Sequence, residues 1–191
     1  GSVSEAAEEG TSVMTVATSG DSAESFVIAS GNGDGIFAIS DAGVITIASD
    51  ANLNYEAQSS YTLSVTGTAG DSTDTEDVTI TIEDANDQVP SYSAGDADPD
   101  VVEGTTQVDT DVEITDSDTS DQNTCSLGGP DAQSFACTVT STAYSLAFDS
   151  AADYESASVD GDDEYVVTVT INDGAQNGPT ITYQVTVTDV D

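Results

Sequence analysis

Four stretches of the chain alternate apolar and polar residues with a period of two: Tyr61-Leu63-Val65, Val78-Ile80-Ile82, Tyr165-Val167-Val169-Ile171 and Ile181-Tyr183-Val185-Val187, with Thr and Ser on many of the intervening positions. Period two is the period of a strand, and a strand apolar on one side only has its other side in water. These segments are therefore predicted to be half-buried β-strands. Turn signals, Asn32-Gly33, Asp34-Gly35 and Asn177-Gly178-Pro179, punctuate the runs at intervals near those of β-sandwiches. No stretch keeps an apolar period of 3.6, so the expected fold class is all-β.

The halves of the chain repeat one another. Glu9-Gly10-Thr11 recurs as Glu103-Gly104-Thr105, Phe37 as Phe135, Leu53-Asn54-Tyr55-Glu56 as Ala152-Asp153-Tyr154-Glu155, and Ile82-Glu83-Asp84 as Val187-Thr188-Asp189, in the same order in both copies. Two tandem sandwich domains, residues 1–89 and 90–191 meeting at Pro90, account for this pattern.

Charge narrows the chemistry. Of 191 residues 37 are Asp or Glu and none is Lys, Arg or His, a formal charge of −37. Without guanidinium or ammonium groups the chain has no phosphate clamp, and nucleic acid or an anionic membrane would be repelled. Without imidazole there is no Ser-His or Cys-His nucleophile pair and no zinc site of ordinary composition. The apolar runs are only a few residues long, so no membrane-spanning segment is expected, and the chain reads as a piece of a longer protein.

At the junction stands Asp84-Ala85-Asn86-Asp87-Gln88-Val89-Pro90. Here the chain resembles the cadherin superfamily, whose repeats are joined by a linker of the form D-x-N-D-N-x-P. Leu53-Asn54-Tyr55-Glu56 is similar to that family's L-D-R-E, Asp116-Ser117-Asp118 to the D-x-D opening the next repeat, Asp173-Gly174 to its late D-G, and Val3-Ser4-Glu5 to its early strand-A glutamate. The resemblance covers essentially the whole chain and implies two tandem Greek-key β-sandwiches of cadherin or immunoglobulin-like type, bridged by calcium.

The ligand set follows from that resemblance residue by residue. A first ion would use Glu5, Asn54, Glu56 and Asp87. A second would share Glu5, Glu56 and Asp87 and add Asp84, the Ala85 carbonyl and Asp118. A third would take Asn86, the Gln88 carbonyl, Asp116, Asp118, Asp173 and a carbonyl near Asn123. Oxygen ligands on loops suit calcium, which takes six to eight of them. Two like charges about 4 Å apart repel by about 1 kcal/mol in water and about 4 kcal/mol at an effective dielectric near 20, and no cationic side chain is present to relieve this. Asn54 stands where the family has aspartate, a neutral ligand for a charged one, so two ions rather than three is one expectation. Gln88 replaces the second linker Asn, whose expected role uses the backbone, so little is expected to change there. Glu8 or Glu9 is an alternative to Glu5 if the register slips.

Other acidic groups, including Asp71, Asp74, Glu76, Asp77 and the 160–164 cluster, read as solvated surface. An EF-hand over 116–127 is disfavoured, because Asp121 and Leu127 stand where that loop needs Gly and Glu. Asp153, Glu155 and Asp189 look like the upper half of a further junction, whereas Thr18-Ser19-Gly20-Asp21 lacks the D-x-D of a lower half. Cys125 and Cys137 flank a Gly128-Gly129-Pro130 turn and could bridge as antiparallel neighbours, which would imply an oxidising compartment; two buried thiols are the alternative. The expected protein is a non-enzymatic, extracellular or cell-surface adhesion or stalk module that binds calcium. Its further partner would be another copy of itself or a surface glycan. The competing expectation is a carbohydrate-binding module, with Tyr92, Tyr144 and Tyr183 as candidate platform residues.

Overall fold

The computed structural model describes residues 1–17, 23–118, 122–155 and 164–190. The Thr18-Ser19-Gly20-Asp21 segment, Asp121 and residues 160–163 of the acidic cluster lie outside them. The chain divides into two compact units, Gly1–Ala85 and Asn86–Asp191. The division falls upstream of the 89/90 boundary expected from Pro90. The linker residues Asn86 and Gln88 are hydrogen-bonded into the second unit, Asn86 Nδ2 to the Asp173 carbonyl at 3.1 Å and Gln88 N to Asp118 Oδ2 at 2.9 Å.

Each unit is a two-sheet sandwich. In the first, β1 (Ser2–Ser4), β7 (Ser72–Glu83), β6 (Ser60–Ala69) and β3 (Ser25–Ser30) form one sheet in that order, and β2 (Ser12–Thr15), β5 (Val44–Ile47) and β4 (Phe37–Ile39) form the other. The second repeats the plan. One sheet runs β8 (Asp100–Val102), β14 (Ile181–Thr188), β13 (Glu164–Asn172), β10 (Thr124–Gly128), and the other β9 (Gln107–Glu113), β12 (Ala143–Phe148), β11 (Phe135–Val139). The first short strand of each unit pairs parallel with the last, Val3 opposite Ile82 and Val101 opposite Val187. One 3-10 turn, Ala132–Ser134, is the only helical element among the described residues.

The four alternating runs are the long strands β6, β7, β13 and β14. Leu63, Ile80, Val167, Val169, Ile171, Tyr183 and Val185 are 0 % exposed, and polar neighbours occupy the outer side. Burying such side chains stabilises by about 1.5–3 kcal/mol each before chain entropy is counted. Phe37 meets Tyr61 edge-on at 5.2 Å, and Phe135 likewise meets Tyr165 at 6.1 Å.

The register relates the units position by position. Tyr61 opposite Ile80 corresponds to Tyr165 opposite Val185, and Phe37 opposite Ile47 to Phe135 opposite Phe148. Gly31 and Gly129 are then counterparts. Both have positive φ, and a Cβ on either would lie within 2.0 Å of the Thr62 carbonyl or 2.7 Å of the equivalent Val166 carbonyl, so backbone approach requires glycine at both. By the same register Phe26 and Ile39 correspond to Cys125 and Cys137, which form a disulfide with Cα atoms 6.2 Å apart. The bond ties the edge strand β10 of one sheet to the edge strand β11 of the other, where the first unit has an aromatic and an aliphatic side chain in its core.

One part of the repeat alignment is corrected. Glu103 N donates to the Thr188 carbonyl as Glu5 N donates to the Glu83 carbonyl, both at 3.0 Å. Glu103 is therefore the counterpart of Glu5, not of Glu9. The two units differ in the connection after the first strand, residues 5–11 against 103–106, and that difference shifted the apparent match.

Two outcomes follow for stability. Reducing the Cys125–Cys137 bond should destabilise the second unit by about 3 kcal/mol, read as a lower urea midpoint with the first unit's transition unchanged. The Tyr183 hydroxyl is pushed above its ordinary value of 10, first by burial and then by its hydrogen bonds to Tyr144 and Asp109, and burial likewise raises Tyr144. Above about pH 10 the unfolded chain releases tyrosine protons that the folded chain retains, so stability falls as pH rises. Melts of the second unit at pH 8 and pH 11 should show that loss, reduced in Tyr183→Phe.

Candidate metal centre

Buried carboxylates need donors, and in this chain backbone amides supply most of them. In the first unit Glu5, 7 % exposed, follows β1. Its Oε2 accepts from Tyr55 N at 2.6 Å and its Oε1 from Ala85 N at 2.7 Å. One carboxylate oxygen each from Glu5, Glu56 and Asp84 lies within 4.8 Å of the others, and no side-chain cation exists to separate them. The structure thus brings together three of the predicted residues, with Ala85 attached through its N–H. Asn54 is turned to local use: its Oδ1 accepts from Ala57 N at 2.6 Å and caps the turn that carries Glu56.

The second unit contributes a network centred on Asp173, 1 % exposed. Asp173 Oδ1 accepts from Ala175 N at 2.7 Å and Gln176 N at 2.6 Å, which holds the carboxylate across the turn after β13. Its carbonyl accepts from Asn86 Nδ2 and from Gln122 N. Asp116 Oδ1 accepts from Asp118 N at 3.2 Å, and Asp118, 7 % exposed, accepts from Gln88 N. Asn123 points its amide nitrogen to the Thr140 and Ser141 carbonyls. Asp116 and Asp118 line a cleft of about 330 Å³ with Glu113, Ile114 and Ser141. Asp87 is exposed and bonded to the Gln88 side chain.

Three oxygens in this unit stand out. Asp116 Oδ2, Asn123 Oδ1 and Asp173 Oδ2 are buried and accept no hydrogen bond. A buried acceptor left so costs about 1–3 kcal/mol, and more when charged. Each is an oxygen, two carry formal charge, and their partner atoms are already committed to backbone groups that fix their direction. Such a donor set fits a hard divalent cation of the calcium kind.

Glu103 is the acidic residue that sequence reasoning missed. It forms a triad with Glu155 and Asp189 within 4.8 Å, and its carboxylate accepts from Tyr154 N and Val190 N, both at 3.4 Å, as Glu5 accepts from Tyr55 and Ala85. The available signal was Val101-Val102-Glu103 against Val3-Ser4-Glu5. The proposed aromatic platform is overturned: Tyr92, Tyr144 and Tyr183 are 8 %, 1 % and 0 % exposed. Each hydroxyl has an internal partner. Tyr144 and Tyr183 share a 2.8 Å bond, Tyr183 donates to Asp109, and Tyr92 donates to the Pro179 carbonyl and accepts from Ile171 N. A phenol with its hydroxyl satisfied inside packs as core.

No family model and no curated protein matches the chain. Solved structures do. The ectodomain of human desmocollin-1 superposes with a TM-score of 0.78 at 21 % identity, covering 100 % of this chain and 40 % of that one. Three repeats of mouse cadherin-23, EC22-24, give 0.68 at 25 % identity, covering 100 % and 62 %. A cis-dimer structure of protocadherin gammaB7 EC3-6 gives 0.70 at 22 %, covering 99 % and 45 %. The chain spans less than two thirds of each.

The buried Oδ2 of Asp116, which accepts no hydrogen bond, sets a test. Asp116→Asn should raise the melting point of the second unit in chelator, by about 1 kcal/mol or a few degrees, because a repelled carboxylate becomes a neutral amide. A melting point lowered by that substitution would show that the carboxylate is satisfied without a metal.

Proposed function

We propose that this chain, which folds as two tandem cadherin-type repeats, is a calcium-binding adhesion or stalk module of an extracellular or cell-surface protein. The reading is carried by Asp116 Oδ2, Asn123 Oδ1 and Asp173 Oδ2, buried acceptors that no N–H or O–H reaches. Glu5, Glu56 and Asp84, with Asn54 and the Ala85 carbonyl, are the first unit's ligands. Asn86, Asp87, the Gln88 carbonyl, Asp116, Asp118, Asn123 and Asp173 are the second unit's. Asp84 and Ala85 end one unit and Asn86 and Asp87 begin the next, so ligands assigned to the same ions are consecutive along the backbone.

Calcium supplies positive charge and many-fold oxygen coordination at once. The protein's part is preparation. Tyr55 N and Ala85 N fix Glu5, Ala175 N and Gln176 N fix Asp173, and Gln88 N fixes Asp118. Two or three ions set six positive charges at most against seven carboxylates, and the linker then resists bending. Asn54, neutral and already capping its own turn, makes the position it shares the weakest. The function is cohesion and reach, with no catalytic step, and self-association is the partner chemistry we favour.

Calcium titration by calorimetry should give two or three ions per chain, and small-angle scattering in parallel should report a narrower range of interdomain geometries. Asp87→Ala and Asp118→Ala should each remove most of both responses. Absence of heat in millimolar calcium would defeat the proposal.

A further inference from the structure

Gln88 is the residue at which the linker departs from D-x-N-D-N-x-P, and its side chain is engaged. Its Nε2 donates to Asp87 Oδ1 at 2.6 Å. Its own carbonyl accepts from Gln176 Nε2 at 3.3 Å, and Gln176 N in turn holds Asp173 Oδ1. All four residues belong to the second unit. Two groups assigned to the metal, the Asp87 carboxylate and the Gln88 carbonyl, thus each face a side-chain amide donor. The chain has no Lys, Arg or His, so amides are its strongest side-chain substitutes for a cation. An amide hydrogen directed at a ligand oxygen occupies a lone pair that a cation would use, yet it carries no formal charge and leaves by side-chain rotation.

We propose that Gln88 and Gln176 form an amide latch that holds metal-facing oxygens while calcium is absent and releases them when it binds, setting the calcium threshold of the site. This rests on the calcium reading above. The latch orders the linker in the empty state and lowers apparent affinity, because only the unlatched fraction is competent to bind. A latch closed about nine-tenths of the time raises the apparent Kd about tenfold.

Gln88→Met and Gln176→Met keep side-chain length and remove the donor. Each should tighten calcium binding about two- to tenfold in calorimetry, the double variant by more, and each should lower the melting point of the second unit in chelator. In the unaltered chain, the side-chain amide NMR signals of Gln88 and Gln176 should both shift over the same calcium range as the heat. Unchanged or weaker binding by the variants, with the unaltered chain binding normally, overturns the latch and leaves the calcium reading standing. No binding by the unaltered chain overturns both. If a variant unfolds in chelator, the amide signals decide alone: silence across the titration overturns the latch.

Discussion

A chain that holds only one sign of side-chain charge cannot bury a carboxylate against a cationic partner, and much of this structure answers that constraint. Glu5 takes two backbone amides, Asp173 takes two, Asp131 at 0 % exposure takes Val166 N, and Asp118 takes Gln88 N. Backbone amides are fixed in number and direction, so they can meet both oxygens of one carboxylate, as at Glu5, and only one oxygen of another. Asp116 and Asp173 show the result, one oxygen bound and one buried without a donor. The same backbone geometry that makes these acids tolerable therefore fixes the direction of the oxygens that accept no hydrogen bond.

The two units meet the requirement for a closed sandwich edge by different chemistry. Phe26 and Ile39 occupy positions that Cys125 and Cys137 occupy in the second unit. Dispersion and burial act in one, a covalent bond in the other, at the same place in the topology. The second unit also buries four hydroxyl-bearing rings, Tyr92, Tyr144, Tyr165 and Tyr183, where the first buries Tyr61, and Tyr92 lies edge-on to Tyr144 at 5.6 Å with Tyr144 bonded to Tyr183.

Much of the fold was legible because strand alternation is a local signal. Every apolar position named in the four long runs is buried or half-buried where the pattern put it. The site was legible in part. Asp116, Asp118 and Asp173 were picked out by motif, and the structure links all three through Asn86, Gln88 and their own turns. Glu103 was not, because connections of unequal length broke the alignment at the one segment where spacing carried the meaning. Tyr92, Tyr144 and Tyr183 were misjudged because a tyrosine's environment depends on a partner for its hydroxyl, and Pro179, Asp109 and Ile171 are distant in sequence.

By itself the order of residues determined the all-β class, the duplication, the absence of any cationic side chain and the oxygen-only chemistry of the linker. These depend on period, composition and neighbouring residues, which a linear reading contains. Only the tertiary structure decided which oxygens of Asp116 and Asp173 are satisfied, that Glu103 repeats Glu5, that the cysteines join two sheets, and that Gln88 reaches Asp87 while Gln176 reaches Gln88. Those outcomes turn on hydrogen-bond directions and on contacts between residues as far apart as 88 positions, as for Gln88 and Gln176, and such contacts exist only once the sheets have packed.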